Sequence, residues 1–334
     1  MVGEPVADAI QTAPIAGVPP LSGAPFAPGS ISLRLYPHNE LAASEVLSEI
    51  CAQASSALRH GFDGIMTSEH HGGFAGYLPN PLQVATFILE ENAEGWAAAC
   101  PLLLPLRPTA LVAEEVAWLA ARHRGRVGLG VAAGALPLDF EATGVPLGSA
   151  VERFKAELPR LVEMLGGRDL RELRGDPALS ACQAHPVPVL SAAASVTAAR
   201  RAASCGAGIL LEGMSSVDRL RRICDGYDDA HGTAAKVLIR RVWMGAPDPA
   251  LVAAQREVYD SYSGPAVAFG DDQTISAESP DELAAGLHAA LRASGADALN
   301  LRIHLPGLSP EAVRRQIDLL GREVLPVLRD LMPV

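Results

Sequence analysis

Asp63-Gly64-Ile65-Met66-Thr67-Ser68-Glu69-His70-His71 decides the fold. A short apolar run passes without a break into a carboxylate and two imidazoles. A strand covered on both faces reads as such a run, because neither face can be polar. In a parallel α/β protein the carboxyl ends of the strands point into the ligand site. Glu69 and His70 therefore stand where a substrate or cofactor would be met.

Outward from this stretch the pattern repeats. Strand-like runs are expected at 31–36, 63–67, 97–104, 126–132, 187–192, 207–212, 237–244 and 297–303. Amphipathic helices are expected at 42–59, 80–92, 109–123, 149–165, 195–205, 215–231, 280–293 and 310–330. Val112, Val116, Leu119, Ala120 and His123 form one stripe, and Val313, Ile317, Leu320 and Val324 another, both at the 3.6-residue period. Eight strands, each followed by a helix, predict a (β/α)8 TIM barrel over residues 30–334. An open doubly wound sheet is the alternative. It would want a Gly-rich turn after its first strand, where Leu35-Tyr36-Pro37-His38-Asn39 stands instead. Residues 1–29, rich in Ala and Pro, read as an extension, either disordered or strapped across the barrel. Two longer connections, 166–186 and 262–279, read as loops, the second as a candidate lid.

The chain of 334 residues is 49% hydrophobic with a net charge of −11. That charge argues against nucleic acid or an anionic membrane as partner. No run of ~18 apolar residues predicts a membrane span. Five cysteines at 51, 100, 182, 205 and 224, with no Cys-x-x-Cys, indicate neither a disulfide framework nor a zinc site. A reducing cytoplasm is the simplest expectation. Gly128-x-Gly130 lies inside a strand rather than in a strand-to-helix turn, so it is a poor dinucleotide loop. Arg200-Arg201 and Arg240-Arg241 read as solvated surface charge.

Taken alone, His70-His71 reads as one packed imidazole and one loop cap. Neighbours on a strand face opposite ways, so the two do not chelate one ion, and no metal is expected. A histidine at a strand end is nonetheless a ready acid, base or hydrogen-bond donor near neutral pH.

The order of motifs adds to this. Gly61-Phe62-Asp63-Gly64-Ile65 with Glu69-His70-His71 is followed by Asn80-Pro81, Leu104-Pro105 and Ala113-Glu114-Glu115-Val116. Gly125-Arg126-Val127-Gly128-Leu129-Gly130, Asp139-Phe140, Gly144 and Arg153 come next. This series resembles the bacterial-luciferase-like flavin-dependent monooxygenase superfamily, most strongly over 61–165. Asn300-Leu301-Arg302-Ile303-His304-Leu305-Pro306-Gly307 and Glu323-Val324-Leu325-Pro326 extend it. The resemblance implies catalytic roles for His70 and, less directly, Glu69. It aligns Cys100-Pro101 with the family's cis peptide under the flavin, and proline takes the cis form at a cost of only ~0.5–1 kcal/mol. It places the flavin phosphate at the turn opening helix 195–205. There Ser195 and Thr197 meet the phosphate through the helix N-terminus, with Arg153 supplying charge. Two departures stand out. Ala194-Ser195 replaces the family's Glu-Ser, and Val131-Ala132-Ala133-Gly134 lacks an arginine often found after the fourth strand.

The function implied is a flavin-dependent monooxygenase using reduced FMN and O2 on a small organic substrate. It would draw on a separate flavin reductase. A coenzyme F420-dependent hydride-transfer oxidoreductase of the same superfamily and a non-catalytic flavin-binding barrel are the alternatives. A homodimer is expected through helices 80–92 and 109–123, on the surface of Phe87, Ile88, Trp118 and Leu119.

Overall fold

A computed structural model describes residues 23–73, 76–262 and 273–332. Among the described residues nine strands occur: β1 (Ile31–Arg34), β2 (Gly64–Thr67), β3 (Trp96–Leu103), β4 (Val127–Ala132), β5 (Val189–Ala192), β6 (Gly208–Leu211), β7 (Lys236–Met244), β8 (Ile275–Ala277) and β9 (Ala298–Arg302). Their order is β6-β5-β4-β3-β2-β1-β9-β7-β8, and β6 also pairs with β7. Eight parallel strands thus close a barrel, which excludes the open sheet. β8 is accessory. Among the described residues it pairs with Val242–Met244, at the carboxyl end of β7.

The helices are α1 (Ala43–Arg59), α2 (Pro81–Glu91), α3 (Thr109–Arg122), α4 (Pro137–Thr143), α5 (Ala150–Leu165), α6 (Pro177–Ala181), α7 (Val196–Ser204), α8 (Val217–Asp229), α9 (Pro249–Tyr262), α10 (Pro280–Ser294), α11 (Pro310–Leu319) and α12 (Leu325–Leu331). A π turn at Leu320–Val324 joins the last two. Many open on a short polar cap followed by proline, whose missing N–H costs nothing in the first turn. Asn80 accepts from Gln83 N at 3.1 Å, Ser279 from Glu282 N at 3.3 Å and Ser309 from Ala312 N at 3.2 Å. No helix among the described residues is long and apolar enough to cross a membrane.

The alternation of strand side chains divides the core in two. Ile31, Leu33, Ile65, Leu299 and Leu301 face the helices. Phe26, Met66, Trp96, Ala98, Cys100, Leu190, Leu210, Val237 and Ala298 fill the barrel interior. Phe26 meets the Trp96 ring edge-on, with centroids 5.1 Å apart, where β3 begins. This closes the amino-terminal end of the barrel. Gly128 and Gly130 make room on β4. A Cβ at Gly128 would meet the Phe26 ring at 2.6 Å, and one at Gly130 would meet Cys100 Sγ at 2.1 Å. These glycines serve interior packing.

Several expectations change. The connection 166–186 carries a 3-10 turn at Arg171–Leu173 and helix α6, because Asp176 caps Leu179 N at 2.8 Å and Pro177 starts the turn. Helices α4 and α9 and strand β8 were also unexpected. Of the candidate lid 262–279, residues 263–272 lie outside the described residues, as do residues 1–22 of the expected extension. Arg240 and Arg241 are not surface charges: they are 1% and 7% exposed. β7 is a barrel strand covered on both sides. Arg241 lies inside, paired in register with Arg302, while Arg240 lies on the helix side, giving a hydrogen bond to Gly213 O at 3.1 Å. Ile88 and Leu119 sit in the core, on the buried stripes of α2 and α3. Trp118 and Leu111 are the exposed large apolar residues of α3.

Candidate functional site at the carboxyl end of the barrel

β2 delivers the first group of residues. Beyond Thr67 the chain stays extended, with Glu69 N donating to Pro101 O at 3.1 Å and His70 N to Leu78 O at 3.0 Å. The Glu69 carboxylate, 1% exposed, turns toward the end of β3. It accepts from Leu103 N at 2.5 Å, from the Arg107 guanidinium, and from His71 Nε2 at 3.0 Å. A buried carboxylate is tolerable when donors saturate it in this way. The Glu69 hydrogen bond in turn raises the pKa of the His71 imidazole, against the effect of its burial.

His70 points the other way. Its Nδ1 donates to Asp139 Oδ2 at 2.8 Å, and Asp139 Oδ1 accepts from His71 N at 2.7 Å. Asp139 is fully buried in the first turn of α4. An ionised carboxylate can only accept, so the proton of a neutral His70 resides on Nδ1. The Tyr77 ring stands edge-on to the imidazole, at 4.4 Å and 82°. The imidazole is thereby held at Nδ1 and against one ring.

The floor beneath is made by β1, β3 and β9. The Cys100–Pro101 peptide is cis, where β3 slips its register against β4. Cys100 is buried, which pushes its thiol up to about 11 and makes it a poor nucleophile. Arg34 donates to the Cys100 carbonyl at 2.7 Å, to Asn300 Oδ1 at 2.8 Å and to Ser68 Oγ.

Across the mouth, β1 and β9 continue into Tyr36, His38 and His304. Arg302 Cζ lies 4.7 Å over the Tyr36 ring, and its guanidinium donates to Gln255 Oε1 at 3.1 Å. His304 stacks on Tyr36 at 5.4 Å and meets His38 edge-on at 5.2 Å. Burial, with the nearby His38, Arg302 and Arg241, lowers the His304 pKa to about 3, so the ring is neutral. A cavity of about 140 Å³ opens here, with Tyr36, Tyr77, Arg302 and His304 in its wall. Tyr77 joins the two sides, its ring also 5.3 Å from that of Tyr36.

Ser195 and Thr197 lie exposed at the carboxyl end of β5, where α7 begins. Ser195 Oγ accepts from Ala198 N at 3.2 Å, capping the helix. Arg219 of α8 donates to Ala194 O at 2.9 Å and is the cation beside this turn. Arg153 is exposed on the first turn of α5, and no hydrogen bond or ion pair joins it to Ser195 among the described residues. The structure thus brings together Glu69, His70 and Pro101, sets Ser195 and Thr197 on the same end of the barrel, and adds Asp139, Tyr77, Tyr36, Arg107, Arg219, Arg302 and His304. Sequence reasoning quoted Asp139 and His304 without giving them a role. Asp139, 69 residues from His70, bore no local signal beyond the proline-started turn. Among the described residues no group of three or more His, Cys, Asp or Glu is placed to hold a metal ion.

Comparison with known proteins agrees with the barrel fold. A family model described as luciferase-like monooxygenase matches residues 30–322. An uncharacterized protein of Mycobacterium tuberculosis is 36% identical over 108 residues, 30% of this chain and 37% of that one. The matched stretch is therefore well under two thirds of that relative. The oxygenating constituent of 3,6-diketocamphane monooxygenase from Pseudomonas putida, solved with FMN, superposes with a TM-score of 0.66 at 17% identity, covering 89% of this chain and 98% of that one. An F420-dependent secondary alcohol dehydrogenase superposes with a TM-score of 0.65 at 15% identity, covering 90% and 99%. At such identities the two structures show a shared fold.

Proposed function

Because the chain belongs to the luciferase-like monooxygenase family, we propose that it is a flavin-dependent oxidoreductase, a monooxygenase acting on a small organic substrate with reduced FMN and O2. The observation that carries this reading is the His70–Asp139 pair at the carboxyl mouth of the barrel, 2.8 Å apart and braced by Tyr77.

The residues present suit such a cofactor. The first N–H groups of α7, at Val196 and Thr197, have no acceptor in their own helix and stand beside the Arg219 guanidinium. A helix N-terminus with a neighbouring cation is a phosphate seat. Ser195 and Thr197 would hold the phosphate there, with Arg219 in the charge role otherwise expected of Arg153. His70 and the Cys100-Pro101 floor would face the ring. When bound, reduced flavin supplies electrons to O2 and carries the oxygen chemistry. The chain's own work is positional and protic. Asp139 keeps the His70 proton on Nδ1, so Nε2 is the nitrogen that would exchange a proton or accept a hydrogen bond at the reacting centre. Glu69, saturated by Leu103, Arg107 and His71, acts as a positioning residue that ties the end of β2 to that of β3. Tyr36, Tyr77 and Leu103 keep water from the floor.

F420-dependent hydride transfer is the second reading. What favours it is the end of β4, where Ala132-Ala133-Gly134 offers no cation to an FMN phosphate. Anaerobic titration of the purified chain with reduced FMN and with reduced F420 tests both. Tighter binding of FMN, and O2-dependent turnover when a separate reductase is supplied, would support the monooxygenase. Binding of F420 alone would transfer the reading to hydride transfer. Binding of neither at tens of micromolar refutes both in favour of a barrel without flavin chemistry. A homodimer pairing through α2 and α3, around Trp118 and Phe87, and a cytoplasmic location belong to the same proposal.

A further inference from the structure

Arg34 is a buried cation whose hydrogen-bond partners, among the described residues, are all neutral. It ends β1 with its side chain in the barrel interior, because Ile31 and Leu33 take the helix side. It is 3% exposed. Its Nε donates to Asn300 Oδ1 at 2.8 Å, and one terminal nitrogen donates to the Cys100 carbonyl at 2.7 Å and to Ser68 Oγ. The other terminal nitrogen meets the Met66 sulfur at 3.8 Å. Asn300 is oriented in turn by Ser32 Oγ, to which it donates at 2.9 Å, and Ser32 Oγ donates to Leu299 O at 3.1 Å. This chain of bonds fixes the guanidinium from within the barrel and aims it at the end of β3.

Neutral dipoles orient a guanidinium, but they do not cancel its charge. Arginine stays ionised in proteins, and an ion taken out of water without a counterion is costly. The acids that end β2 and open α4 spend their oxygens on other donors. Glu69 accepts from Leu103 N, Arg107 and His71, and Asp139 from His70 and from His71 N. The Cys100 thiol, pushed up to about 11 by burial, supplies no thiolate. The carbonyl that Arg34 grips belongs to the Cys100–Pro101 peptide, the floor assigned above to the flavin ring. The cation therefore lies against the floor of the proposed ring site with its charge uncompensated by those groups.

We propose that Arg34 is the countercharge for reduced FMN, by which the chain takes the reduced cofactor in preference to the oxidised one. The proposal rests on the reading of the mouth as an FMN site and adds a residue to it. The ring of oxidised FMN is neutral. With two electrons and one proton added, it carries one negative charge on its pyrimidine end. Those electrons come from the donor of the separate reductase, so the flavin arrives already reduced and no electron moves in the binding step. At an effective dielectric of ~20, a unit charge still changes the equilibrium of another about tenfold at ~12 Å. The phosphate is common to both redox states, so the turn at Ser195 cancels when the two are compared.

Anaerobic equilibrium dialysis of the full chain, against oxidised FMN and against FMN reduced with dithionite, gives the two dissociation constants and their ratio. The parent chain should bind reduced FMN at least about tenfold tighter. For a two-electron couple that ratio raises the potential of the bound flavin by about 30 mV, which redox titration reads independently. Arg34→Met and Arg34→Gln, one apolar and one polar, both remove the charge and should both bring the ratio below about threefold. An Arg34 that only braced the floor would weaken both redox states alike and leave the ratio standing. The comparison on the unmodified chain needs no variant, and thermal melts identify a variant that has not folded. Equal binding of the two redox states by the parent, or a ratio untouched in a folded neutral variant, overturns the proposal and leaves the FMN reading in place. Failure to bind FMN in either state overturns both.

Discussion

Asp139→Asn should invert the proton on His70 while leaving the site's shape intact. Asp139 uses both oxygens, Oδ1 on His71 N at 2.7 Å and Oδ2 on His70 Nδ1 at 2.8 Å. The backbone N–H of His71 can only donate, so the new amide must turn its oxygen there. Its NH2 then faces His70 Nδ1, and two N–H groups cannot face each other. The imidazole responds by moving its proton to Nε2. A hydrogen bond to a buried charge contributes ~1.5–3 kcal/mol, which bounds the stability lost. The catalytic loss is larger. If Nε2 exchanges the proton, the variant forfeits acid–base assistance typically worth ~10²–10⁴-fold. We expect turnover to fall about 10²-fold or more, with flavin affinity changed less than about twofold, because the proposed phosphate turn is untouched. His70→Ala should fall by a similar factor, and the double variant little further, since the two residues act as one unit. Imidazole ¹⁵N spectra give the proton's position, and single turnover with chemically reduced flavin gives the rate. Turnover within about threefold of the parent, or a proton that stays on Nδ1, would refute the reasoning.

Three further outcomes follow from other parts of the molecule. The His304 pKa is lowered to about 3 in the fold, so the unfolded chain takes up this proton first, from about pH 6.5 downward. The fold should lose about 1.4 kcal/mol per pH unit through this one group between pH 6.5 and its folded value, and pH-dependent denaturant melts of His304→Gln should lack that increment. Ser195→Ala and Arg219→Ala should each weaken FMN binding about tenfold or more in fluorescence titrations, with little effect on riboflavin; equal losses for both flavins would move the phosphate elsewhere. Gly130→Ala forces a Cβ to within 2.1 Å of Cys100 Sγ, and calorimetry should show a loss of ~1–3 kcal/mol, partly recovered by Cys100→Ala.

The barrel was legible because parallel strands buried on both faces leave unbroken apolar runs, and all eight expected strands occur within a few residues of their places. What escaped was written in long-range contacts or against composition. Arg240-Arg241 reads as surface because two adjacent charges usually are. Its setting between Val237-Leu238-Ile239 and Val242-Trp243 was the signal that the strand continues through them. β8 is three residues long and exists only as an addition to β7, so no period announces it. The positions of His70 and Glu69 were legible from the end of β2. Their division of labour was not, because it depends on partners 69 and 38 residues away.

Those partners give the two halves of the mouth different mechanical characters. On the β2–β3 side, Glu69 is locked by a backbone N–H, a guanidinium and an imidazole, and Asp139 by two donors, all with little or no exposure of the acceptors. Rotating His70 there means breaking charge-assisted bonds, so the group proposed to handle the proton is held in advance of any ligand. On the β9–β1 side the described contacts include ring faces and the neutral acceptor Gln255, around a cavity with an orphan His304 nitrogen. Ring-face contacts of this kind can be rearranged at little cost. A fold shared by FMN- and F420-dependent enzymes can change substrates by altering this adaptable wall while the locked half stays fixed. In this chain, the residues to vary in a search for altered specificity are therefore Tyr36, Gln255 and Arg302, and not Glu69 or Asp139.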